Sequence, residues 1–197
     1  MRRISIPAVA TLAVAALVAA AVSTATGTAT GTATAAAARA PDAPRLDDAT
    51  IVAIFDAANT ADIETGALAA ERGASAEVRE FGGMLVVAHR QVRQQGRDLA
   101  RKLGVTPTPP ADSASAVQHA AAMARLRTLH GAEFDRAFLQ HEVAFHKAVL
   151  DAVTGTLLPA IRNGELRDLV VKVGPAFEAH MLGARNLQRR LAGASGR

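Results

Sequence analysis

The sequence contains no cysteine, tryptophan or tyrosine, and only 3% of its 197 residues are aromatic. The absence of cysteine excludes disulfides, thiolate metal ligands, cysteine nucleophiles and a lipid anchor on cysteine. Any bound metal ion would therefore need histidine and carboxylate ligands. Strand-like alternation is also missing, and a composition rich in alanine and poor in β-branched residues favours helices that approach closely.

An excess of basic charge is missing once the first 40 residues are set aside. The whole chain carries a formal charge of +4, but Arg2, Arg3 and Arg39 lie in a segment without acidic residues. The remainder has 19 basic and 18 acidic residues, a net charge of +1. Nucleic-acid binding requires a large, clustered excess of basic residues, so we expect no nucleic-acid partner.

Residues 1–40 have the composition of a targeting segment followed by a tether. Two arginines precede an apolar run over residues 4–22, and small residues follow. This pattern predicts a cleaved signal peptide, export to the cell envelope or medium, and no stable membrane span afterwards. The alternative is an uncleaved membrane anchor, because the apolar run has about the length needed to span a bilayer. Residues 24–40 are a low-complexity Thr/Ala/Gly stretch that cannot form a core.

The rest of the chain predicts an all-α domain over residues 41–193 and a disordered tail at 194–197. Apolar residues recurring at three- and four-residue steps predict four long helices and one short helix. The expected spans are about 49–72, 75–103, 113–129, 134–153 and 165–191. With short connections, they predict an antiparallel four-helix bundle with one extra short helix before the third long helix.

Histidines fall on the predicted inner faces of three long helices. They are His89, His141 and His180, each near the middle of its helix. If the chain turns around near Pro159, His141 lies 18 residues before the turn and His180 lies 21 after it. At about 1.5 Å per residue their heights differ by about one helical turn, so we expect the two rings to meet inside the domain.

Carboxylates and an amide are candidates for the same polar layer. Glu64 is the most attractive carboxylate on the first helix, although its height differs from that of His89 by roughly 7 Å. Asn59 matches the height of His89 better, and Asp56 and Asp62 are further candidates. Glu142 and His146 share a face of the third long helix and are possible additional ligands.

Such a layer has two competing interpretations. Histidine nitrogens and glutamate oxygens across a helical interior bind transition metals such as Fe, Mn, Zn or Cu. The prediction is therefore a metal site formed by Glu64, His89, His141 and His180. Alternatively, the same groups form a metal-free hydrogen-bonded layer that fixes helix pairing. The Glu-x-x-His pattern of di-iron proteins is missing, because Val86 and Phe177 stand three residues before His89 and His180.

Three stretches together resemble a known family: FDAANTADIETGALAAERGASAEVREFGGMLVVAH, HGAEFDRAFLQHEVAFHKAVLDAV and PAFEAHMLGARNL. They are similar to the secreted bacterial family known as domain of unknown function 4142, over about residues 47–191. That resemblance implies a ferritin-like four-helix bundle. The family's recurring polar positions correspond to the following residues: Asn59, Glu64, His89, His141, His146 and His180. Members commonly carry an acidic residue where this chain has Ala88, which removes one candidate metal ligand or acceptor.

The functional prediction is accordingly limited. We expect an exported bacterial helical protein of unassigned activity that binds a metal ion for metal or redox stress handling in the envelope. The alternative is a non-catalytic envelope or stress protein with a metal-free polar layer. A third possibility is a pH-responsive module, because histidines titrate near neutrality. No motif identifies a catalytic residue, an organic cofactor or a protein partner.

Overall fold

The computed structural model describes residues 46–111 and 113–194, and these residues form an all-helical domain. The predicted all-α class is confirmed over this part of the chain. The proposed signal peptide and tether, and the last three residues of the proposed tail, lie outside the described residues. The described residues contain no helix with the length and hydrophobicity needed to cross a bilayer.

Five helices account for most of the described chain. They are α1 (Asp48–Arg72), α2 (Ala76–Leu103), α3 (Ala114–Thr128), α4 (Gly131–Ala152) and α5 (Gly164–Ala194). The ends follow local chemistry, since the side chains of Asp47 and Ser75 accept hydrogen bonds from the first turns of α1 and α2. Gly104 ends α2 with a φ of 65°, a left-handed conformation that glycine adopts without strain.

The chain after α4 remains helical for longer than predicted. A π-helical segment, Val153–Leu157, and a single helical turn, Leu158–Ala160, extend α4 past the expected turn. Pro159 lies in the first positions of that single turn, where its missing N–H costs no hydrogen bond. The chain reversal lies at residues 161–163, two to four residues beyond Pro159.

Helices α1 and α2 form a tight antiparallel hairpin around facing glycines. A Cβ atom built on Gly82 would lie 2.6 Å from the carbonyl oxygen of Gly66, whereas one built on Gly83 would meet nothing within 4 Å. Only a residue without a side chain fits at Gly82. The two backbones therefore approach closely, and this contact sets which residues of α1 and α2 face each other.

Aspartate side chains reinforce the connections at both ends of the domain. Asp135 on α4 accepts hydrogen bonds from the backbone N–H groups of Ala74 and Ser75, each at 2.8 Å. At the opposite end, Asp48 accepts from the backbone of Arg162 and Asn163, each at 2.9 Å. Each aspartate satisfies backbone donors that a turn would otherwise leave unpaired.

Two apolar clusters occupy the ends of the interior. The first lies near the α1–α2 turn and includes Phe134, Phe138 and Leu187. The second lies near the α5 start and includes Ile51, Leu157 and Leu166. Along every long helix, a group of polar residues lies between these two clusters.

Candidate metal centre

Five buried ionisable side chains from α1, α2, α4 and α5 meet between the two apolar clusters. We call them the polar centre: Asp62, His89, Glu142, His146 and His180. Asp62 is 1% exposed and His180 9%, while the other three are fully buried. Ionisable groups are rarely buried to this degree unless they are paired or bind a metal ion.

His89 is held in one tautomer by an amide from α1. Asn59 donates its Nδ2 hydrogen to the carbonyl oxygen of Phe55 at 2.8 Å, so its Oδ1 faces the ring of His89. The distance from that oxygen to His89 Nδ1 is 2.9 Å. Because an amide oxygen only accepts, Nδ1 carries the hydrogen and Nε2 keeps a free lone pair.

His146 is oriented in the same way by its own helix. Its Nδ1 lies 3.0 Å from the backbone carbonyl oxygen of Glu142, which also can only accept. Nδ1 therefore carries the hydrogen, and Nε2 is left as a buried nitrogen without a hydrogen-bond partner. Fixing one ring nitrogen by a hydrogen bond is how proteins present the other nitrogen to a metal ion.

The free nitrogens converge on one carboxylate oxygen. Asp62 Oδ2 lies 2.6 Å from His89 Nε2 and 3.2 Å from His146 Nε2. Despite these short distances, neither oxygen of Asp62 has a partner in hydrogen-bond geometry. Ligand atoms bound to one ion at about 2.0–2.2 Å lie about 3 Å from their neighbours. The 3.2 Å separation from His146 Nε2 agrees with this spacing, whereas the 2.6 Å separation from His89 Nε2 is shorter.

His180 brings a third imidazole to the same place. Its Nδ1 lies 3.1 Å from His89 Nε2 and donates to it when Nδ1 is protonated. The pKa of His180 is lowered to about 4, mainly by burial and also by the neighbouring charges of His89 and His146, while the charge of Asp62 raises it. The ring is therefore neutral at pH 7, and its other tautomer offers Nδ1 as a ligand.

The two carboxyl groups of the polar centre differ in protonation. Burial raises the pKa of Asp62, but the hydrogen bonds and positive charge that His146 and His89 supply in their protonated form outweigh it and lower the pKa. Burial raises the pKa of Glu142 well above its usual value, and the negative charge of Asp62 raises it further. Neither Glu142 oxygen has a hydrogen-bond partner. Asp62 is thus the more readily ionised of the two carboxyl groups, and Glu142 the one that more readily holds a proton.

In each of two overlapping groups of residues, the candidate ligand atoms all lie within 4.8 Å of one another. One is formed by His89, His146 and His180, and the other by Asp62, Glu142 and His146. Both sets use His146, whose Nδ1 is occupied by the backbone of Glu142. A single free nitrogen binds one ion, so the two sets describe one centre rather than two.

Residues 31–187 match the family described as "Domain of unknown function (DUF4142)". The chain belongs to the DUF4142 family. The resemblance inferred from the sequence is confirmed, and the match covers most of the chain. A family of unknown function assigns no activity to the polar centre.

Similarity to other known proteins is confined to the fold. A crystal structure of a DUF305 fragment from Deinococcus radiodurans matches with a TM-score of 0.62 and 19% sequence identity. The match covers 75% of this chain and 99% of the fragment. No curated protein matches this chain.

In this DUF4142 chain, four of the predicted site residues lie in the polar centre and a fifth supports it. His89 and His180, both predicted site residues, lie together, whereas His146 and not His141 meets His180 from α4. Glu142, named with His146 as a possible additional ligand, lies on the same side. Asn59 contacts His89, as its matching height predicted, but it orients the ring instead of facing the ligand atoms.

Two predicted positions are wrong. Glu64 does not face the interior: its side chain is 53% exposed and pairs with His119 at 2.8 Å. His141 is only partly buried and packs against Phe145, outside both sets of ligand atoms. Helix α4 buries the row Phe134, Phe138, Glu142 and His146. Beyond Phe138, this row lies one residue further along the chain than the predicted row through His141.

Asp62 was underrated, although its spacing identifies it. It follows Asn59 by three residues and so shares a helix face with the residue that best matched the height of His89. Glu64 lies five residues beyond Asn59 and points elsewhere. A consistent choice of one face on α1 would have selected Asp62.

Proposed function

We propose that this protein binds one first-row transition-metal ion at the polar centre. His89, His146 and His180 would supply nitrogen ligands, Asp62 an anionic oxygen, and Glu142 either a further oxygen or a buried proton. The proposal rests chiefly on one observation. Asp62 Oδ2 faces two imidazole nitrogens whose lone pairs are free because their Nδ1 hydrogens are used elsewhere. A cation between them removes the repulsion between electron-rich atoms.

The donor set limits which ions fit. Three imidazoles with one or two carboxyl oxygens suit Zn, Fe, Mn or Cu, whereas Mg and Ca prefer oxygen ligands throughout. When bound, such an ion supplies Lewis-acid or redox chemistry. The chain's own residues orient the imidazoles through Asn59 and the Glu142 carbonyl, and the flanking apolar clusters exclude water.

The proposed setting is the bacterial cell envelope, and the proposed architecture is an antiparallel, ferritin-like four-helix bundle. The first 40 residues support export, because they combine two arginines, an apolar run and small residues. The α1–α2 and α4–α5 hairpins support the bundle, since each brings residues from both of its helices to the polar centre. Handling of metal or redox stress in the envelope is the role that fits both features.

Metal analysis of the mature protein, purified without a His-tag, tests the proposal. The expected wild-type content is about one ion per chain. His146→Gln should lose the ion, because it removes the free nitrogen without changing charge in the neutral state. The matched control is His130→Gln, which alters an exposed histidine at the start of α4. An occupancy well under one ion in the wild type would refute the proposal.

A metal-free polar layer is the competing function, and the lowered pKa of Asp62 favours it. If His89 or His146 takes up a second proton, its imidazolium pairs with the Asp62 carboxylate and no ion is needed. This alternative predicts that added metal changes neither the melting temperature nor the imidazole NMR signals. A bound ligand at 100 times its Kd would instead stabilise the fold by about 2.7 kcal/mol.

A further inference from the structure

A buried phenylalanine lies among the imidazole rings of the polar centre. Phe177 is on α5, three residues before His180, and is 5% exposed. Its ring centroid lies 5.0 Å from that of His89, 5.7 Å from that of His146 and 6.5 Å from that of His180. These distances are typical of aromatic rings in contact. One apolar ring therefore contacts imidazoles from α2, α4 and α5.

Phe177 does not belong to either of the apolar clusters at the ends of the interior. The other buried phenylalanines, Phe134 and Phe138, both lie in the first cluster. A ring that only filled the apolar interior would pack mainly with other apolar side chains. The position of Phe177 against three histidines instead points to a role at the polar centre.

The polar centre itself supplies enough donors to complete the coordination of one ion. Nitrogens of His89, His146 and His180 lie within 4.8 Å of one another. Asp62 Oδ2 lies 2.6 Å from His89 Nε2 and 3.2 Å from His146 Nε2. Structural zinc sites use four protein ligands, whereas catalytic sites use three and leave a position for water or substrate. Four donors are present before Glu142 is counted, which favours a closed site.

Phe177 also fills space that an outside ligand would need beside these nitrogens. Its phenyl ring offers no lone pair to a cation and makes a T-shaped contact with His89, at an angle of 85° between the ring planes. The same face of α5 continues one turn earlier with Val173, which is also buried. An apolar wall beside a metal site limits the access of water and raises the cost of bringing in a hydrated anion. The side of the polar centre that Phe177 covers is therefore closed to small polar molecules.

We infer that Phe177 closes the polar centre to outside ligands, so that the bound ion has ligands from the protein only. This inference rests on the proposed function, because it assumes that the polar centre binds an ion. It also narrows that function. Holding an ion out of solution needs no open coordination position, whereas catalysis on a substrate bound to the ion needs one. A closed polar centre therefore favours sequestration of the ion over catalysis.

Azide titration of the mature protein, loaded with Co²⁺, tests the inference, because an anion that binds to the ion changes the cobalt d–d absorption bands. The wild-type spectrum should not change. Phe177→Ala leaves a cavity partly lined by imidazoles, which admits a small anion, and should lower the apparent Kd for azide by at least about tenfold. Phe177→Val leaves a smaller cavity and should respond in the same direction, so it carries the test if the alanine variant does not fold.

Phe138→Ala is the matched control. It removes the same kind of ring from α4, but Phe138 packs with Phe81 and Phe134 in the first cluster. The Co²⁺ spectrum of this variant should not respond to azide. Circular dichroism melts establish that each variant is folded.

The possible results separate this inference from the proposed function. A wild-type protein that takes up no Co²⁺ refutes the proposed function and the inference with it. A wild type that loads Co²⁺ and then responds to azide overturns only the inference, because the ion then has an open coordination position. Phe177 variants that load but do not respond would also overturn it, as would a Phe138→Ala control that responds equally, since closure would then not depend on Phe177.

Discussion

The ends of the interior differ from its middle. At the ends, Phe134, Phe138, Ile51 and Leu166 are at most 1% exposed and belong to clusters of apolar side chains. In the middle, Asp62, Glu142 and His146 are as deeply buried, yet five of their side-chain oxygens and nitrogens have no hydrogen-bond partner. Burying apolar groups stabilises a fold, whereas burying unpaired polar groups destabilises it.

This contrast indicates that the apolar ends maintain the fold, whereas the polar centre in the middle carries the proposed function. The apolar ends and the capped turns supply enough stability for the middle to hold groups that weaken the metal-free protein. A bound cation would supply a partner for those groups and offset their destabilising effect on the fold. The predictions that follow separate the two regions by changing one and measuring both stability and metal content.

Phe138→Ala should have the largest effect on stability. Phe138 is fully buried and contacts Phe81 and Phe134, with ring centroids 6.3 Å apart in both pairs. Removing the ring should lower the free energy of unfolding of metal-free protein by about 3–5 kcal/mol, because it leaves a cavity. Urea denaturation measures the change. Metal content of the folded variant should stay at the wild-type value, and its loss would show that the two regions are not separable.

Gly82→Ala should be the next most damaging change. Its Cβ would lie 2.6 Å from the Gly66 carbonyl oxygen and 2.7 Å from the Ala70 nitrogen, so the α1–α2 hairpin must open. We expect a loss of about 1–3 kcal/mol in the free energy of unfolding and weaker metal binding, because His89 moves away from Asp62. Gly83→Ala is the matched control and should instead stabilise the protein by about 0.5–1 kcal/mol. Equal melting temperatures for the two variants would contradict the close contact.

Glu142→Leu should change the free energy of unfolding by less, and it should not lower it. Glu142 is fully buried, its pKa is raised by burial and by the charge of Asp62, and leucine has a similar volume. In metal-free protein we expect a free energy of unfolding between the wild-type value and about 2 kcal/mol above it. Thermal melts after chelation measure this change, and Glu142→Gln separates the loss of charge from the loss of polarity. A destabilised leucine variant would mean that Glu142 supports the fold.

The contribution of His141 to the pH dependence of stability should be the smallest of these effects. Burial lowers the pKa of His141 from 6.5 to about 4, so the folded state disfavours its charged form. Stability from this group is complete above about pH 6.5 and is lost as the pH falls towards 4, because the unfolded chain takes up the proton first. Partial exposure limits the loss to about 1 kcal/mol.

His141→Gln isolates this contribution from the other titrating groups. Urea denaturation of metal-free protein at pH 7 and pH 4 should show a smaller difference for the variant than for the wild type. Glu142, whose raised pKa favours the folded state at low pH, affects both proteins alike. An unchanged difference would mean that His141 is as well solvated in the folded protein as in the unfolded chain.

The helices could be predicted from the sequence because their signals are local. Apolar periodicity predicted the helices to within a few residues, and the caps at Asp47, Ser75 and Gly104 that fix their ends are equally local. His89 and His180 were predicted for the same reason, since α2 and α5 each have one clear apolar face.

The other residues of the polar centre could not be predicted in this way, because apolar periodicity does not determine how the helices pack. On α4, rows through His141 and His146 both continue the apolar pattern that starts at Phe134, and contact with neighbouring helices selects one of them. The position of the chain reversal between α4 and α5 also decides which histidine of α4 lies at the height of His180. With the reversal at residue 162, His146 lies 16 residues before it and His180 lies 18 after, a closer match in height than His141 provides.

The central claim is tested most directly by anomalous X-ray diffraction from crystals of the Co²⁺-loaded protein. We expect one anomalous peak per chain in the polar centre, about 2.0–2.2 Å from Nε2 of His89 and of His146. Asp62 should supply an oxygen at a similar distance. An empty polar centre, with any peaks confined to surface histidines such as His130, would contradict the claim and leave the buried histidines as a metal-free polar layer.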